Sequence, residues 1–351
     1  MEPFRIATGT MYYAQNLFIR IETDKGLTGV GECSAFPPIV GESQASCFEM
    51  AKEFAQIWKD KDALEIEQRL QDLDGYTAFN TTAKSAFDMA LYDLAAKQAG
   101  QPLYKYLHGH KKHLETDLTI GIGDPEKMAE TASEFKKKGV RIIKIKLGKD
   151  SSKDLERVQK IRQAVGDQIL LRTDANQGWD FETAANLLSK MGEYNIEFCE
   201  QPMRHWNDSL LPKLRKKSPI KIMADESAFN HHDALRLILD DACDYINIKF
   251  AKSGGILEAR RINSVCEEHG IPCMMGGMLE SRLALTAFAH FVLAHPNIVF
   301  YDMDTPLLGH KMDPVTGGVQ YKGYFLEVPD DPGIGADMDE GFLRNCEQVT
   351  I

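Results

Sequence analysis

The stretch Ile169-Leu-Leu-Arg-Thr-Asp174 is an apolar run that ends on an acidic residue, and a polar turn and a helical pattern follow it. The same order recurs along the chain, in runs that end at residues 146, 200, 225 and 249. Successive runs end about 26 residues apart, the length of one strand and helix, and eight such units close into a barrel. A leucine-rich solenoid has a similar period, but its Leu-x-x-Leu-x-Leu signature is absent. We therefore predict an α/β barrel whose eight strands lie between residues 118 and 302.

The residues before this repeat have a different rhythm. Alternating apolar residues over 17–22 and 26–33 predict an antiparallel hairpin, and amphipathic patterns over 46–58, 64–73 and 81–98 predict three helices. We therefore predict an α+β capping domain over residues 1–113 and a barrel domain over residues 114–311. The tail, residues 312–351, returns to short strands and turns, and we expect it to complete the first domain.

Composition excludes several classes of partner. The 351 residues include 41 Lys and Arg against 52 Asp and Glu, a net charge of −11, which disfavours nucleic acid and anionic membrane surfaces. The longest apolar run, residues 283–294, is interrupted by His290 and is too short to span a bilayer. The seven cysteines form no C-x-x-C pair and no export signal is recognisable, so we expect a cytoplasmic protein.

Three acidic residues end successive predicted strands, at the mouth where barrel enzymes keep their active sites. These are Asp174, Glu200 and Asp225. Neighbouring strands lie about 5 Å apart, so the three carboxylates can converge on one point. Oxygen ligands without a nearby His or Cys suit Mg²⁺, whereas zinc is disfavoured because the histidines fall in a linker and a loop.

Lysines flank these carboxylates on both sides. Lys146 ends the strand before them and Lys249 ends the strand after them. An ammonium near another cation has a lowered pKa and can act as a base near neutral pH, and Lys144 on the same strand face should lower the pKa of Lys146 further. One lysine would remove an α-proton, the metal would hold the enediolate, and the other lysine would return a proton to the opposite face. That the lysines merely pair with the carboxylates remains an open alternative.

Five motifs at successive strand ends carry a family resemblance. They are Lys144-Ile145-Lys146, Asp174-Ala175-Asn176, Glu200-Gln201-Pro202, Asp225-Glu226-Ser227 and Asn247-Ile248-Lys249. Their order resembles the muconate-lactonising subgroup of the enolase superfamily, itself a standard example of a lysine or histidine base working with Mg²⁺. The resemblance implies a (β/α)7β modified TIM barrel under a cap built from both termini. It also implies one Mg²⁺ per subunit, bound by Asp174, Glu200 and Asp225.

The eighth strand end separates members of this subgroup. Its sequence Tyr301-Asp302-Met303-Asp304 resembles the Asp-x-Asp of dipeptide epimerases, whose two carboxylates receive the free ammonium of the dipeptide. Two anions suit a cation and repel a succinyl or muconate carboxylate. The resemblance further implies substrate contacts at Thr119, Lys144, Gly277 and Leu279.

These observations predict a Mg²⁺-dependent epimerase that inverts the α-carbon of the C-terminal residue of small dipeptides. Epimerases of Ala-Glu present an arginine where the stretch Phe4–Thr10 has Gly9, so we expect small or apolar second residues. Relatives have a cap strand before this stretch, so we expect one cap strand to be missing. An o-succinylbenzoate synthase or an N-acylamino-acid racemase stays open as an alternative function, as does a non-enzymatic binding barrel. We also expect that the chain can form a homo-oligomer.

Overall fold

A computed structural model of the protein describes residues 4–308 and 310–351. Its N-terminal part pairs β1 (Phe4–Ile6) with β2 (Gly9–Met11), and β3 (Asn16–Glu22) with β4 (Thr28–Ser34), both antiparallel. Helices follow: α1 (Pro37–Val40), α2 (Gln44–Trp58), α3 (Ile66–Tyr76), α4 (Thr81–Gln98) and α5 (Leu103–Tyr106). The predicted hairpin and the three predicted helices are confirmed. The expectation of a missing first cap strand concerns the chain before Phe4, which lies outside the described residues.

Eight parallel strands follow, in sequential order. They are β5 (Leu118–Ile120), β6 (Ile142–Lys146), β7 (Leu170–Asp174), β8 (Ile196–Glu200), β9 (Lys221–Ala224), β10 (Tyr245–Ile248), β11 (Cys273–Gly276) and β12 (Ile298–Asp302). Two hydrogen bonds join the edge strands β5 and β12 of this sheet at their ends. Asp117 N donates to Tyr301 O (3.1 Å), and Met303 N donates to Thr116 Oγ1 (2.9 Å). The sheet is therefore a nearly closed barrel.

Helices connect these strands. They are α6 (Pro125–Lys137), α7 (Ser151–Val165), α8 (Phe181–Met191), α9 (Leu211–Lys217), α10 (His231–Leu239), α11 (Phe250–Ser253) with α12 (Ile256–Glu268), and α13 (Arg282–Ala294). The sequence determines where several of them begin, since Asp124, Asp180 and Asn230 each accept a backbone N–H of the helix that follows. A helix follows every strand except the last, so the predicted (β/α)7β barrel is confirmed.

The tail returns to the N-terminal part of the chain. It pairs β13 (Val315–Gly317) with β16 (Ala336–Met338) and β14 (Gln320–Lys322) with β15 (Phe325–Glu327), and it ends in α14 (Glu340–Leu343). Arg20 on β3 forms ion pairs with Asp337 (3.0 Å) and Glu340 (2.9 Å) of the tail. The fold thus has a cap to which both termini contribute, while the domain limits at 113 and 311 stay predictions.

Buried carboxylates seat the cap on the barrel. Glu32 on β4 accepts Ser281 N (2.7 Å) and Ala284 N (3.0 Å) at the start of α13, and Asp88 on α4 accepts Ile256 N (2.5 Å) at the start of α12. Helix N-termini carry unpaired N–H groups and a partial positive charge, so Glu32 stabilises the start of α13 and Asp88 stabilises the start of α12. No helix among residues 4–308 and 310–351 is both long and apolar enough to cross a membrane.

Candidate active site

The three predicted metal ligands come together at one end of the barrel. Asp174 ends β7, Glu200 ends β8, and Asp225 directly follows β9, so they lie on three neighbouring strands. Asp174 and Glu200 are partners in the register of β7 and β8. All three residues are completely buried. Their roles as Mg²⁺ ligands stay predictions.

One oxygen of each carboxylate faces a donor of the protein. Asp174 Oδ1 accepts Asn176 N (2.8 Å), Glu200 Oε1 accepts Asn247 Nδ2 (2.8 Å), and Asp225 Oδ1 lies 2.7 Å from Lys252 Nζ. These contacts orient the carboxylates, as hydrogen-bonded neighbours of metal ligands do. Each residue therefore keeps its second oxygen for another cation.

Lysine ammonium groups contact these second oxygens. Lys146 Nζ lies 2.6 Å from Asp174 Oδ2, Lys144 Nζ lies 2.6 Å from Glu200 Oε2, and Lys249 Nζ lies 2.8 Å from Asp225 Oδ2. The ion pairs that we held open as an alternative are therefore present.

The residues nevertheless fit a magnesium ion. Burial and the charges of Asp174 and Asp225 raise the pKa of Glu200 to about 7, even though Lys144 opposes the shift. The lysines therefore leave the charged form of Glu200 incompletely stabilised, and a set of three carboxylates without His or Cys supplies the oxygen donors that suit Mg²⁺.

The lysine pKa values differ from our expectation. Burial lowers the pKa of Lys249, but Asp225 and Glu200 raise it by more, so the net shift is upward. Lys144 behaves in the same way: burial lowers its pKa, while Asp302, Glu200 and Asp174 raise it well above the usual value. Lys144 is a positive neighbour of Lys146 on the same strand, but Asp174, Glu200 and Asp302 all lie within 3.4 Å of its ammonium, so its effect on Lys146 stays a prediction. A lowered lysine pKa needs a further cation at these carboxylates.

The Asp-x-Asp pair lies beside this site. Lys144 Nζ donates to Asp302 Oδ2 (2.6 Å), and Thr119 N donates to Asp304 Oδ2 (2.6 Å). Burial and the charge of Asp302 raise the pKa of Asp304 to about 7. Burial raises the pKa of Asp302, but Lys144 and Lys146 lower it by more, so the net result is a lowered pKa of about 2.

Sequence reasoning missed a third carboxylate at this place. Asp117, Asp302 and Asp304 each contribute an oxygen atom to a group whose members all lie within 4.8 Å of one another. Asp117 is completely buried, and its Oδ2 accepts Arg172 Nη1 (2.9 Å). Strand alternation could have placed Asp117 and Arg172 on the inner face of the barrel, since Asp117 precedes Thr119 by two positions and Arg172 precedes Asp174 by two.

The Arg172 side chain packs against two aromatic rings in the barrel interior. The Arg172 guanidinium lies 5.3 Å from the ring centre of Phe198 and 5.0 Å from that of Phe300, and its Nε donates to Glu197 Oε2 (2.7 Å). Phe198 is fully buried and Phe300 is 8% exposed, so these rings fill the barrel interior. Ion pairing and cation–π contact together hold the guanidinium in place.

The two remaining predicted substrate contacts lie in the loop after β11. Leu279 is buried, clusters with Ile6 and Phe36 of the cap, and its carbonyl accepts Asn16 Nδ2 (3.1 Å). A Cβ at Gly277 would lie 2.8 Å from Glu280 Oε2, so a side chain at this position would require that carboxylate to move. Both residues thus lie where barrel and cap meet, and their contact with a dipeptide stays a prediction.

The chain is similar to known proteins over nearly its whole length. The sequence matches the family "Mandelate racemase / muconate lactonizing enzyme, N-terminal domain" over residues 1–108 and "Enolase C-terminal domain-like" over residues 127–342. It is 44% identical to a D-Ala-D/L-Ala epimerase of Cytophaga hutchinsonii, over 100% of this chain and 95% of that protein. It is 40% identical to a hydrophobic dipeptide epimerase of Enterococcus faecalis, over 95% of each.

Two further comparisons complete this picture. The chain is 38% identical to an L-Ala-D/L-Glu epimerase of Bacillus subtilis, over 95% of this chain and 92% of the relative. The crystal structure of the dipeptide epimerase from Cytophaga hutchinsonii, complexed with Mg and the dipeptide D-Ala-L-Val, matches with a TM-score of 0.97 over 99% of this chain and 94% of that chain.

Proposed function

Because the chain belongs to the mandelate racemase and muconate-lactonising enzyme family of the enolase superfamily, we propose that it is a Mg²⁺-dependent dipeptide epimerase. It would be an isomerase that inverts the α-carbon of the C-terminal residue of small dipeptides. One observation carries this proposal: Lys146 on β6 and Lys249 after β10 lie on either side of the buried carboxylates borne by the three strands between them.

The lysines supply the proton transfers in this proposal. One lysine, as the free amine, takes the α-proton while the Cα–H bond breaks, and the ammonium of the other gives a proton to the opposite face of Cα. The charges of the two lysines are thereby exchanged, and proton exchange with solvent restores them. Asp174, Glu200 and Asp225 would hold the Mg²⁺. When bound, this ion would supply positive charge for the substrate carboxylate and would act as the further cation that lowers the pKa of a lysine.

The acidic group at the eighth strand favours a free amino terminus over an acyl group. Asp302 and Asp304 are joined by the buried Asp117, and among the described residues Lys144 donates to Asp302 and Arg172 donates to Asp117, two cations for three carboxylates. A substrate ammonium would pair with these carboxylates, whereas a succinyl carboxylate would be repelled. An N-acylamino-acid racemase or an o-succinylbenzoate synthase is therefore the weaker assignment.

We also propose a preference for a small or apolar second residue. A Cβ at Gly9, the first residue of β2, would meet no atom within 4 Å, so the hairpin leaves open space where, by the family resemblance, epimerases of Ala-Glu present an arginine. The exposed side chains next to it, Tyr12 and Tyr13, carry no charge. Residues 6–13 contain no cationic side chain to pair with a glutamate, and the cation of this hairpin, Arg5, lies on β1 opposite Thr10.

The test compares Ala-Ala, Ala-Glu and N-acetyl-Ala-Ala as substrates at saturating Mg²⁺. We expect kcat/KM to be highest for Ala-Ala, and to fall more than about tenfold on N-acetylation because buried carboxylates lose their charged partner. Equal turnover of the N-acetyl compound would replace the proposal with an acylamino-acid racemase. Fast turnover of Ala-Glu alone would refute only the side-chain preference.

We further propose a cytoplasmic location. All seven cysteines are free thiols, and six of them are buried, which suits a reducing compartment. The net charge of −11 argues against nucleic acid as a partner. A homo-oligomer stays a prediction.

A further inference from the structure

A buried aspartate on α7 connects two of the loops at the barrel mouth. Asp154 is completely buried, and its Oδ2 accepts both Gly148 N (2.9 Å) and Trp179 Nε1 (2.9 Å). Gly148 follows Lys146 by two residues, and Trp179 lies in the loop that follows Asp174. One carboxylate oxygen thus fixes the backbone just beyond the lysine to the loop just beyond the neighbouring carboxylate.

Arg157 extends this connection to a third loop. Its Nη1 donates to Asp154 Oδ1 (2.7 Å) and to Asp150 O (3.1 Å), while its Nε donates to Gly123 O (3.0 Å) in the loop after β5. Arg157 is 5% exposed, so the pair is shielded from solvent. A buried, fully bonded ion pair resists displacement, because breaking it would leave an uncompensated charge.

The backbones of two of these loops are in direct contact. A Cβ at Gly148 would lie 2.2 Å from Ala175 O, and a Cβ at Gly178 would lie 2.3 Å from Gly148 O. Leu147 N also donates to Asp174 O (2.8 Å). The backbone after Lys146 therefore packs directly on the backbone after Asp174, and Asp154 accepts one donor from each side of this contact.

The opposite lysine has a different anchor. Lys252 Nζ donates to Ala228 O (3.0 Å) and Asn247 O (3.0 Å), which fixes the turn after Lys249 without any contact to Asp154 or Arg157. The backbone turns after the two lysines are thus anchored by different buried side chains, Asp154 on one side and Lys252 on the other. We infer that Asp154 is a positioning residue for Lys146, which aligns that lysine and not Lys249 with the α-carbon of the substrate.

This inference rests on the proposed function, and its test must separate the two lysines. Epimerisation in either direction uses both, and the equilibrium constant fixes the ratio of its two kcat/KM values. Deuterium incorporation with retained configuration needs only one lysine, since that lysine removes and returns the proton on the same face. In Lys249→Ala, the epimer that still exchanges identifies the face served by Lys146.

The variant is Asp154→Asn, which keeps the size but cannot accept from both loops and from Arg157. We expect retention exchange in D₂O to fall about tenfold or more for the Lys146-facing epimer, because small misplacement of a reacting group is costly. Exchange of the other epimer should stay within about twofold. Trp179→Phe, which removes one donor only, should give the same asymmetry to a smaller degree and serves if Asp154→Asn does not fold.

Asp93→Asn is the matched control. Asp93 is also completely buried and also accepts two backbone N–H groups, Val30 N (2.9 Å) and Ile334 N (2.6 Å), and one side-chain cation, Lys97 (2.6 Å). It joins the cap to the tail, so its replacement should affect both epimers equally. An equal loss for both epimers in Asp154→Asn and Trp179→Phe, or the same asymmetry in Asp93→Asn, would overturn the inference. Wild-type enzyme that exchanges neither epimer would instead refute the proposed function and the inference with it.

Discussion

Acid should loosen the contact between the barrel and the cap through one buried histidine. His290 on α13 is completely buried, its Nδ1 accepts Tyr104 N (3.1 Å), and its Nε2 lies 3.0 Å from Ile334 O. These contacts require the neutral ring with its proton on Nε2, because Nδ1 already accepts an N–H. Burial lowers the pKa of His290 from 6.5 to about 4. Protonation would break the bond to Tyr104 and place a charge between α13 and the chain segments it holds.

The sign and size of the effect follow from this shift. Between pH 6.5 and 4 the unfolded chain binds a proton at this histidine and the folded chain does not, so stability is present at pH 7 and is lost as pH falls. Each pH unit inside that window changes the free energy of unfolding by about 1.4 kcal/mol. Lowering the pH from 7 to 5 crosses about one and a half units of it, so His290 should account for a loss of about 2 kcal/mol.

The perturbation that isolates this term is His290→Asn, whose side-chain oxygen can still accept Tyr104 N–H but does not titrate. Urea unfolding of both proteins at pH 7, 6 and 5, at constant Mg²⁺, gives the free energies of unfolding. The variant should be less stable at pH 7, since it loses the bond to Ile334 and part of the ring's stacking on Tyr104.

Its stability should nevertheless fall by about 2 kcal/mol less than that of the wild type between pH 7 and 5. Comparing the two proteins also removes the contribution of His295, whose pKa burial likewise lowers to about 4. Identical pH dependences would show that His290 does not titrate as argued.

The remaining predictions concern the proposed chemistry. Exhaustive chelation should abolish epimerisation and added Mg²⁺ should restore it, and full turnover after chelation would contradict the proposed metal. Asp225→Asn should reduce kcat/KM more than about a hundredfold, a larger loss than is expected for a residue that only hydrogen-bonds to a metal ligand. Lys146→Ala and Lys249→Ala should each abolish epimerisation and each retain α-proton exchange of one epimer only, whereas equal residual epimerisation in both would mean that neither is the base. Asp302→Asn should narrow the difference in kcat/KM between Ala-Ala and N-acetyl-Ala-Ala, and an unchanged ratio would remove Asp302 from ammonium binding.

The parts of the fold that sequence predicts well are those with a local cause. The period of about 26 residues reflects one strand and one helix, and it recurs because each unit must pack beside the last. The hairpin of β3 and β4 follows from alternation on either side of Asp24-Lys25-Gly26, a turn whose Gly26 has φ of +75°. The strand-end residues Asp174, Glu200 and Asp225 were found by the same reasoning, because parallel strands bring their ends to one edge.

The parts that sequence could not supply depend on contacts between distant segments. Glu32 and Asp88 read as ordinary charged residues of a strand and a helix, yet each accepts backbone N–H groups more than 150 positions away. Asp154 likewise reads as one more polar position near the start of a helix. No periodicity distinguishes a carboxylate that meets solvent from one that meets a helix terminus, because the difference lies in what the fold places opposite it.

Lys144 shows most clearly why residue type and spacing underdetermine a site. Sequence placed it as a neighbour of Lys146, but its Nζ lies 2.6 Å from Glu200 and 2.6 Å from Asp302, so it connects the predicted metal site to the predicted ammonium site. Its single charge is shared by carboxylates of both sites. A metal cation held by Asp174, Glu200 and Asp225 would leave Lys144 to Asp302, and a substrate ammonium at Asp302 would leave Lys144 to Glu200, so each bound cation would reduce the number of carboxylates that depend on Lys144.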